Sequence, residues 1–362
     1  MSTTGNRPRQ DEGSLKELND QLDNRTRSLV SRLQMEHGTR RMLVLTVAAF
    51  ALFTVLNPSV FLDPLNITNI LVASPEIGLL AIALMLSMLT GGIDLSIVAI
   101  ANGTAITIAA LTAHFGHDGN VGGLTTLLIL VAGFGVGLLG GAVNGLLISR
   151  VGITPILATL GTMQVYNGLA IVYTGGETLY GVPKQLTTFG EATVATIPLL
   201  FVVFIVAAVA IAVLLNRTPL GLKLFLQGSN EKAARYSGIR IGRTLMATYV
   251  LSGALAALSG IVIVARNPTA SADYGASYVL LVIVIAILGG TNPSGGFGTV
   301  LGVVLATLTL QIVSSGFNIM RLSSYEYAIA KGVILILTLV IDQMSRRRQA
   351  NKPRKPRPEV AQ

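Results

Sequence analysis

Residues 196–215 read TIPLLFVVFIVAAVAIAVLL, a run with no charged side chain, followed at once by Asn216 and Arg217. At 1.5 Å per residue, such a helix covers about 30 Å, the hydrocarbon depth of a bilayer. Working outward in both directions, apolar runs recur at 42–62, 69–90, 93–113, 124–147, 153–174, 244–265, 277–290, 297–318 and 325–343. Ten spans predict an all-α polytopic membrane protein. Composition agrees, with 51% hydrophobic and 12% charged residues and a mean hydropathy of +0.67. A soluble domain carries about 25% charge, so a soluble enzyme is excluded. Cysteine is absent, which removes disulfides, thiolate zinc sites and cysteine nucleophiles. The 39 glycines suit close helix packing in lipid.

Pro75, Pro155, Gly91-Gly92 and Gly289-Gly290 predict broken or re-entrant helices. Such breaks survive in a bilayer only where protein or a water-filled cavity satisfies the freed backbone groups, so they mark candidate stretches of a transport pathway.

The net charge of +9 reads as topology rather than as nucleic-acid binding. Eight Lys/Arg lie in 1–41, six in 216–243 and seven in 344–362, and Arg150 joins them, making 22 of the 26 basic residues on one side. The positive-inside rule makes that side the cytoplasm, with both termini there. The opposite loops carry Asp118, Glu177, Glu191 and Asp273, while Tyr173, Tyr180, Tyr274, Tyr278, Tyr325 and Tyr327 fall near the outer boundary. The chain divides into a cytoplasmic tail 1–41, a membrane domain 42–343 and a basic tail 344–362. Within the first tail, Ser14 and Glu17 form a capping box, and Leu15, Leu18, Leu22, Leu29 and Leu33 share one face. That segment, 14–36, reads either as an amphipathic helix on a membrane or partner, or as a solvated tail. The first apolar run begins too late and is too long for a cleavable signal peptide.

The cytoplasmic loop 216–243, NRTPLGLKLFLQGSNEKAARYSGIRIGR with its flanks, is longer than an ordinary connection. Ser229 or Asn230 can cap a short helix through Glu231–Tyr236, and Gly238 can stop it. The stretch Asn230–Ile239 resembles the GGNEEAARLSGI element of ribose/xylose-type ABC importer permeases. Gly91–Ser96 resembles that family's GGIDLS. Asn144–Leu147, Thr154-Pro155 and Thr159–Met163 resemble NGLLV…PPFIVTLGTM, and Leu288–Thr291 with Gly295, Gly296 and Gly298 resembles VLGGTSLFGGRG. The four segments occur in the family's order across 42–343.

The resemblance implies a type II-like ABC importer permease in the plasma (bacterial inner) membrane, translocating a neutral simple sugar or polyol. It assigns Gly228, Ser229, Asn230, Glu231, Ala233, Ala234, Arg235, Ser237 and Gly238 to a coupling element that docks on an ATP-binding subunit. It also implies an extracytoplasmic solute-binding protein and a second permease copy or paralogue as partners, with ATP-Mg held by the ATPase and no cofactor in this chain. Two alternatives are a branched-chain amino-acid type permease and an ion-coupled secondary carrier.

The residues support the same reading. No G-x-x-x-x-G-K-[ST] occurs, so the chain cannot cradle ATP phosphates itself. Intramembrane ionisable groups are few: Glu76, Asp94 and Lys331, which disfavours an ion-driven carrier and a charged solute. Asp94 reads first as an N-cap of the third span, or as a brace for a broken helix at the gate. Glu76 and Lys331 lie at similar depth and are a candidate ion pair. Candidate pathway residues are Asp94, Ser96, Asn102, Asn144, Thr159, Thr162, Gln164 and Asn167, with 159–167 the favoured cluster. Gly133, Gly137, Gly141 and Gly145 form one stripe, for packing within the protomer or for a subunit seam. His114 and His117 with Asp118 read as a polar loop rather than a metal site. Departures from the family pattern at Val98-Ala99, at Val279-Leu280 after Tyr278, and at Asn167 fall in membrane segments, where the solute is selected.

Overall fold

The computed structural model describes residues 37–116 and 119–323, together with 325, 326, 329, 332, 333, 336 and 340. The expected 14–36 helix, the 344–362 tail, His117, Asp118 and Lys331 lie outside the described residues. Among the described residues, eight helices are long and apolar enough to cross a membrane, and a ninth apolar helix is shorter. Of the expected tenth span, 325–343, the described residues are helical but scattered.

The first helix, α1 (His37–Leu56), starts earlier than expected and bends at Asn57 into a single turn, α2 (Pro58–Phe61). Asp63 Oδ1 accepts from Leu65 N at 2.8 Å and Pro64 fills the first turn, opening α3 (Pro64–Leu89). The expected break at Pro75 does not occur: α3 runs through it. The Ser74 hydroxyl donates to Ile70 O at 2.7 Å and Gln311 Nε2 donates to Ala73 O at 3.0 Å, bonds that reinforce the helix around Pro75, whose missing N–H deprives only the Leu71 carbonyl.

Next come α4 (Ile97–Phe115), α5 (Gly123–Leu146) and α6 (Pro155–Thr174). The break expected at Pro155 is real but lies ahead of it. There α5 loosens into a π-helical turn, Leu147–Val151, and ends at Gly152 with φ 84°, so that Pro155 begins α6. The amphipathic α7 (Lys184–Glu191) and the apolar α8 (Leu199–Arg217) follow. They are succeeded by α9 (Pro219–Ser229), α10 (Glu231–Tyr236), α11 (Ile241–Arg266), α12 (Tyr278–Leu288) and α13 (Val300–Ile319). At 1.5 Å per residue α12 is about 16 Å long, half of a span, and the chain turns back through 289–299. The two-residue strands β1 (Leu179–Tyr180), β2 (Thr193–Val194), β3 (Ile197–Pro198) and β4 (Thr269–Ala270) pair antiparallel, β1 with β4 and β2 with β3.

In their most apolar stretches α3, α4, α11 and α13 are 83%, 67%, 67% and 61% buried, against 17%, 22% and 28% for α1, α6 and α8. The first four are therefore the centre and the last three the periphery. Apolar burial does not hold helices together in lipid, whose tails are as apolar as leucine; close contact and hydrogen bonds do. The glycine stripe provides that contact. Gly137 and Gly141 of α5 meet Gly253 of α11, and a Cβ on any of the three would strike the other helix's backbone. Gly145 lies against Met246 of α11, and Gly133 against Ile108 and Thr104 of α4. The stripe thus packs within the protomer, and the subunit-seam reading is set aside for it.

Candidate functional site

The loop between α8 and α11 folds as two short helices. Asn230 caps the second: its Oδ1 accepts from Ala233 N at 3.0 Å. Gly238, at φ +81°, ends it, with Ile239 N donating to Ala234 O at 3.1 Å, the reversed bond typical of a left-handed cap. Glu231 and Arg235 pair at 2.9 Å on the exposed face, and each sits at the helix end its charge favours. Ala234 is buried, whereas Tyr236 is 93% exposed. Sequence reasoning named Tyr236 only as part of the helix, yet it is the large apolar side chain this loop presents most openly.

The preceding helix points inward. A Cβ on Gly228 would collide with Leu89 O and Gly296 N, and Ser229 packs on Gly296. Those two partners belong to the two glycine breaks. Gly91, at φ +80°, turns the chain away from α3. The second break is a tight turn in which Asn292 Nδ2 donates to Gly295 O at 2.9 Å and Asn292 Oδ1 accepts from Ser294 N at 3.2 Å. Gly296 N donates to Leu89 O at 3.0 Å, joining one break to the other. Thr299 continues the linkage to α1, its Oγ1 lying 3.0 Å from Thr39 Oγ1.

Asp94, fully buried just past the first break, is the hub of a polar network. Its Oδ1 accepts from Ser96 N at 3.1 Å and Ser96 Oγ at 2.7 Å, and its Oδ2 accepts from Ser252 Oγ of α11 at 2.9 Å. Asn144 Nδ2 of α5 donates to Ser96 Oγ at 2.7 Å, and Thr162 Oγ1 of α6 donates to Asn144 Oδ1 at 2.6 Å. Thr159 Oγ1 accepts from Leu95 N at 3.1 Å and lies 3.0 Å from Ile93 O. Ser96 occupies the N-cap of α4, so Asp94 acts as the brace and not as the cap. A buried carboxylate held by three donors is satisfied, and the network ties α4, α5, α6 and α11 to the broken segment. The unpredicted member is Ser252; a hydroxyl inside a span carries no sign of which partner it meets. The nearby Tyr249 hydroxyl is buried without a hydrogen-bond partner among the described residues.

The remaining candidates separate from this cluster. Asn102 Nδ2 donates to Ala272 O at 2.8 Å and Tyr274 O at 2.9 Å, clamping the segment after β4. Gln164 is exposed on α6, and Asn167 is half-buried with its Oδ1 unpaired among the described residues.

The expected partner of Glu76, Lys331, lies outside the described residues; among those, Glu76 pairs with Arg266. Arg266 Nη1 lies 3.3 Å from Glu76 Oε2, Tyr278 donates to Oε1 at 2.9 Å, and Tyr274 donates to Oε2 at 3.3 Å. The end of α11 brings this guanidinium to the carboxylate. Arg266 was one of the few basic residues outside the cytoplasmic clusters, which was its only signal. Burial, and after it the Glu76 carboxylate, pushes the Tyr274 phenol above its ordinary range, so it stays a donor.

The family described as "Branched-chain amino acid transport system / permease component" matches residues 66–340. The chain belongs to this permease family. It is a multi-pass membrane protein and a transport permease component. The permease is 35% identical to the ribose import permease protein RbsC of Bacillus subtilis (strain 168) over 292 residues, 80% of this chain and 88% of the relative. It is 30% identical to the D-allose transport system permease protein AlsC of Escherichia coli (strain K12), covering 85% and 92% of the two chains. It is also 30% identical to the autoinducer 2 import system permease protein LsrD of Photorhabdus temperata, covering 83% and 89%. No solved structure matches the chain.

Proposed function

We propose that this permease is the membrane subunit of an ABC importer that carries a neutral simple sugar or polyol inward. The observation that carries the reading is the likeness over four-fifths of the chain to permeases named for ribose and allose import. Relatives of that kind favour a sugar over a branched-chain amino acid, and the scarcity of intramembrane charge agrees.

In this reading the 216–243 loop and both termini are cytoplasmic, which the distribution of Lys and Arg supports. A separate ATP-binding subunit receives α10, with Tyr236 as an exposed aromatic anchor of the sort that dominates docking surfaces. An extracytoplasmic binding protein delivers the solute, and a second permease copy or paralogue completes the pathway. ATP-driven movement of α10 pulls on α9. Because Gly228 rests on the Leu89–Gly296 junction, both glycine breaks move with it, and the Asp94 network passes the displacement to α4, α5, α6 and α11. Asp94, Ser96, Asn144, Thr159 and Thr162 are then a transmission brace at the gate rather than solute ligands.

The test is uptake of radiolabelled ribose and allose by proteoliposomes holding the permease with its ATPase and binding protein. ATP-dependent uptake of either sugar is expected. Uptake that survives omission of the ATPase overturns the reading in favour of a secondary carrier.

A further inference from the structure

On the side of the membrane domain away from the coupling loop lies a cavity of about 520 Å³ that none of the motifs pointed to. It is within the range of about 300–1,000 Å³ typical of small-molecule sites. The direction of each helix sets its depth. Near the start of α3, Asn66 and Asn69 stand at the mouth, joined by Asn318 from the far end of α13. Deeper in, Gln311, Ser314 and Ser315 line the wall. Glu76, 2% exposed, forms the floor with Arg266 and Tyr278. The other end of α3, at Leu89, is the end that meets Gly228, so this chamber and the coupling loop occupy opposite ends of one helix.

Polar and ionisable residues are costly inside a membrane domain, and when they converge from separate helices on one cavity they mark a functional surface. Their chemistry is selective. Amides and hydroxyls both donate and accept, as the hydroxyls of a polyol do. Glu76 and Arg266 cancel each other's charge, so the chamber offers an ionic solute no net attraction. By contrast, a cavity of about 500 Å³ between α4, α5 and α6 is walled by residues such as Ile106, Leu139, Val143 and Leu169 and has little to offer a hydroxylated molecule.

We infer that the cavity formed by α3, α11, α12 and α13 is an entry chamber for a neutral polyhydroxylated solute. Resting on the sugar-import reading above, it adds a place within the protomer where the solute first binds. Its floor is closed by the Tyr274 and Tyr278 hydroxyls on Glu76. A solute hydroxyl that takes over Glu76 releases the segment carrying both tyrosines, which links arrival of solute to movement at the floor.

The absence of cysteine makes the test direct. The full permease carrying S314C is reconstituted with its ATPase and binding protein, and a membrane-impermeant maleimide is added from the side opposite the ATPase, with ribose as the probe. S314C is expected to react, and binding protein loaded with ribose is expected to slow the reaction at least threefold; S277C at the same wall behaves alike. T112C, at a buried position of α4, stays unlabelled. Asn69→Ala is expected to raise the KM for ribose uptake about three- to tenfold with the maximal rate unchanged, the size of one lost hydrogen bond. If S314C and S277C are inert, or react at a rate indifferent to ribose while ribose uptake is normal, the chamber is overturned. If the unmodified importer takes up neither ribose nor allose, the sugar reading itself fails.

Discussion

The Gly296 amide donates to the Leu89 carbonyl at 3.0 Å, and this one bond joins the two places where the membrane helices break. Gly228, from the loop between α8 and α11, rests directly on it. A partner that moves the loop therefore moves both breaks through backbone contact, without depending on any side-chain rotamer.

Gly228→Ala should be costly for that reason. The added methyl would have to displace Leu89 O and Gly296 N, both backbone atoms, and overpacking of this kind costs about 1–3 kcal/mol. A lowered melting temperature of the detergent-purified permease and at least a tenfold drop in ATP-driven uptake are expected. Unchanged values of both would show that α9 does not bear on the breaks.

Asn144→Ala removes two buried hydrogen bonds at once, the one it donates to Ser96 Oγ and the one it accepts from Thr162 Oγ1, leaving Ser96 with its bond to Asp94 and Thr162 with a longer one to Thr159 O. Each lost bond contributes about 0.5–1.5 kcal/mol. The variant should melt lower than Asn167→Ala, whose Oδ1 has no partner among the described residues. Thermal unfolding of the two proteins side by side checks the order.

Glu76→Ala should destabilise more than Arg266→Ala. Glu76→Ala opens a cavity at a 2% exposed position and takes the acceptor from both Tyr274 and Tyr278, whereas Arg266→Ala removes a partly exposed side chain and leaves the Glu76 carboxylate held by both tyrosines. Glu76→Gln, which still accepts from the tyrosines, should fall between wild type and Glu76→Ala. The same melting assay ranks all three, and an Arg266→Ala protein less stable than Glu76→Ala would contradict the assignment of roles.

Tyr236→Ala is expected to leave the melting temperature within about 1 °C of wild type, because the ring is almost wholly exposed. Its effect should appear in association: titration with the ATP-binding subunit should show affinity reduced about tenfold or more, the usual consequence of losing an aromatic anchor.

Much of the architecture was readable from residue order alone. The spans follow from apolar runs of membrane length, the α10 cap from Asn230, its end from Gly238, and the turns from Gly91 and the 289–299 segment. Pro75 was misread as a break: α3 runs through it, held there in part by a bond from Gln311 to Ala73 O, a residue distant in sequence that only α13 brings alongside. The candidate pathway residues divided for the same reason. Asp94, Ser96, Asn144, Thr159 and Thr162 converge, while Asn102 turns to a loop and Gln164 to the outer surface of α6.

What the sequence by itself determined is what depends on local chemistry: where the chain enters and leaves the bilayer, which side is basic, and where helices start and stop. Tertiary structure alone decided the pairings, namely Glu76 with Arg266, Asp94 with Ser252, the glycine stripe with Gly253, and Gly228 with the Leu89–Gly296 junction. The physical reason lies in the solvent. In lipid an apolar surface has no preferred partner, so helices choose neighbours by close backbone approach and by polar groups that must be satisfied. Both criteria are relations between distant residues, and only the folded chain contains them.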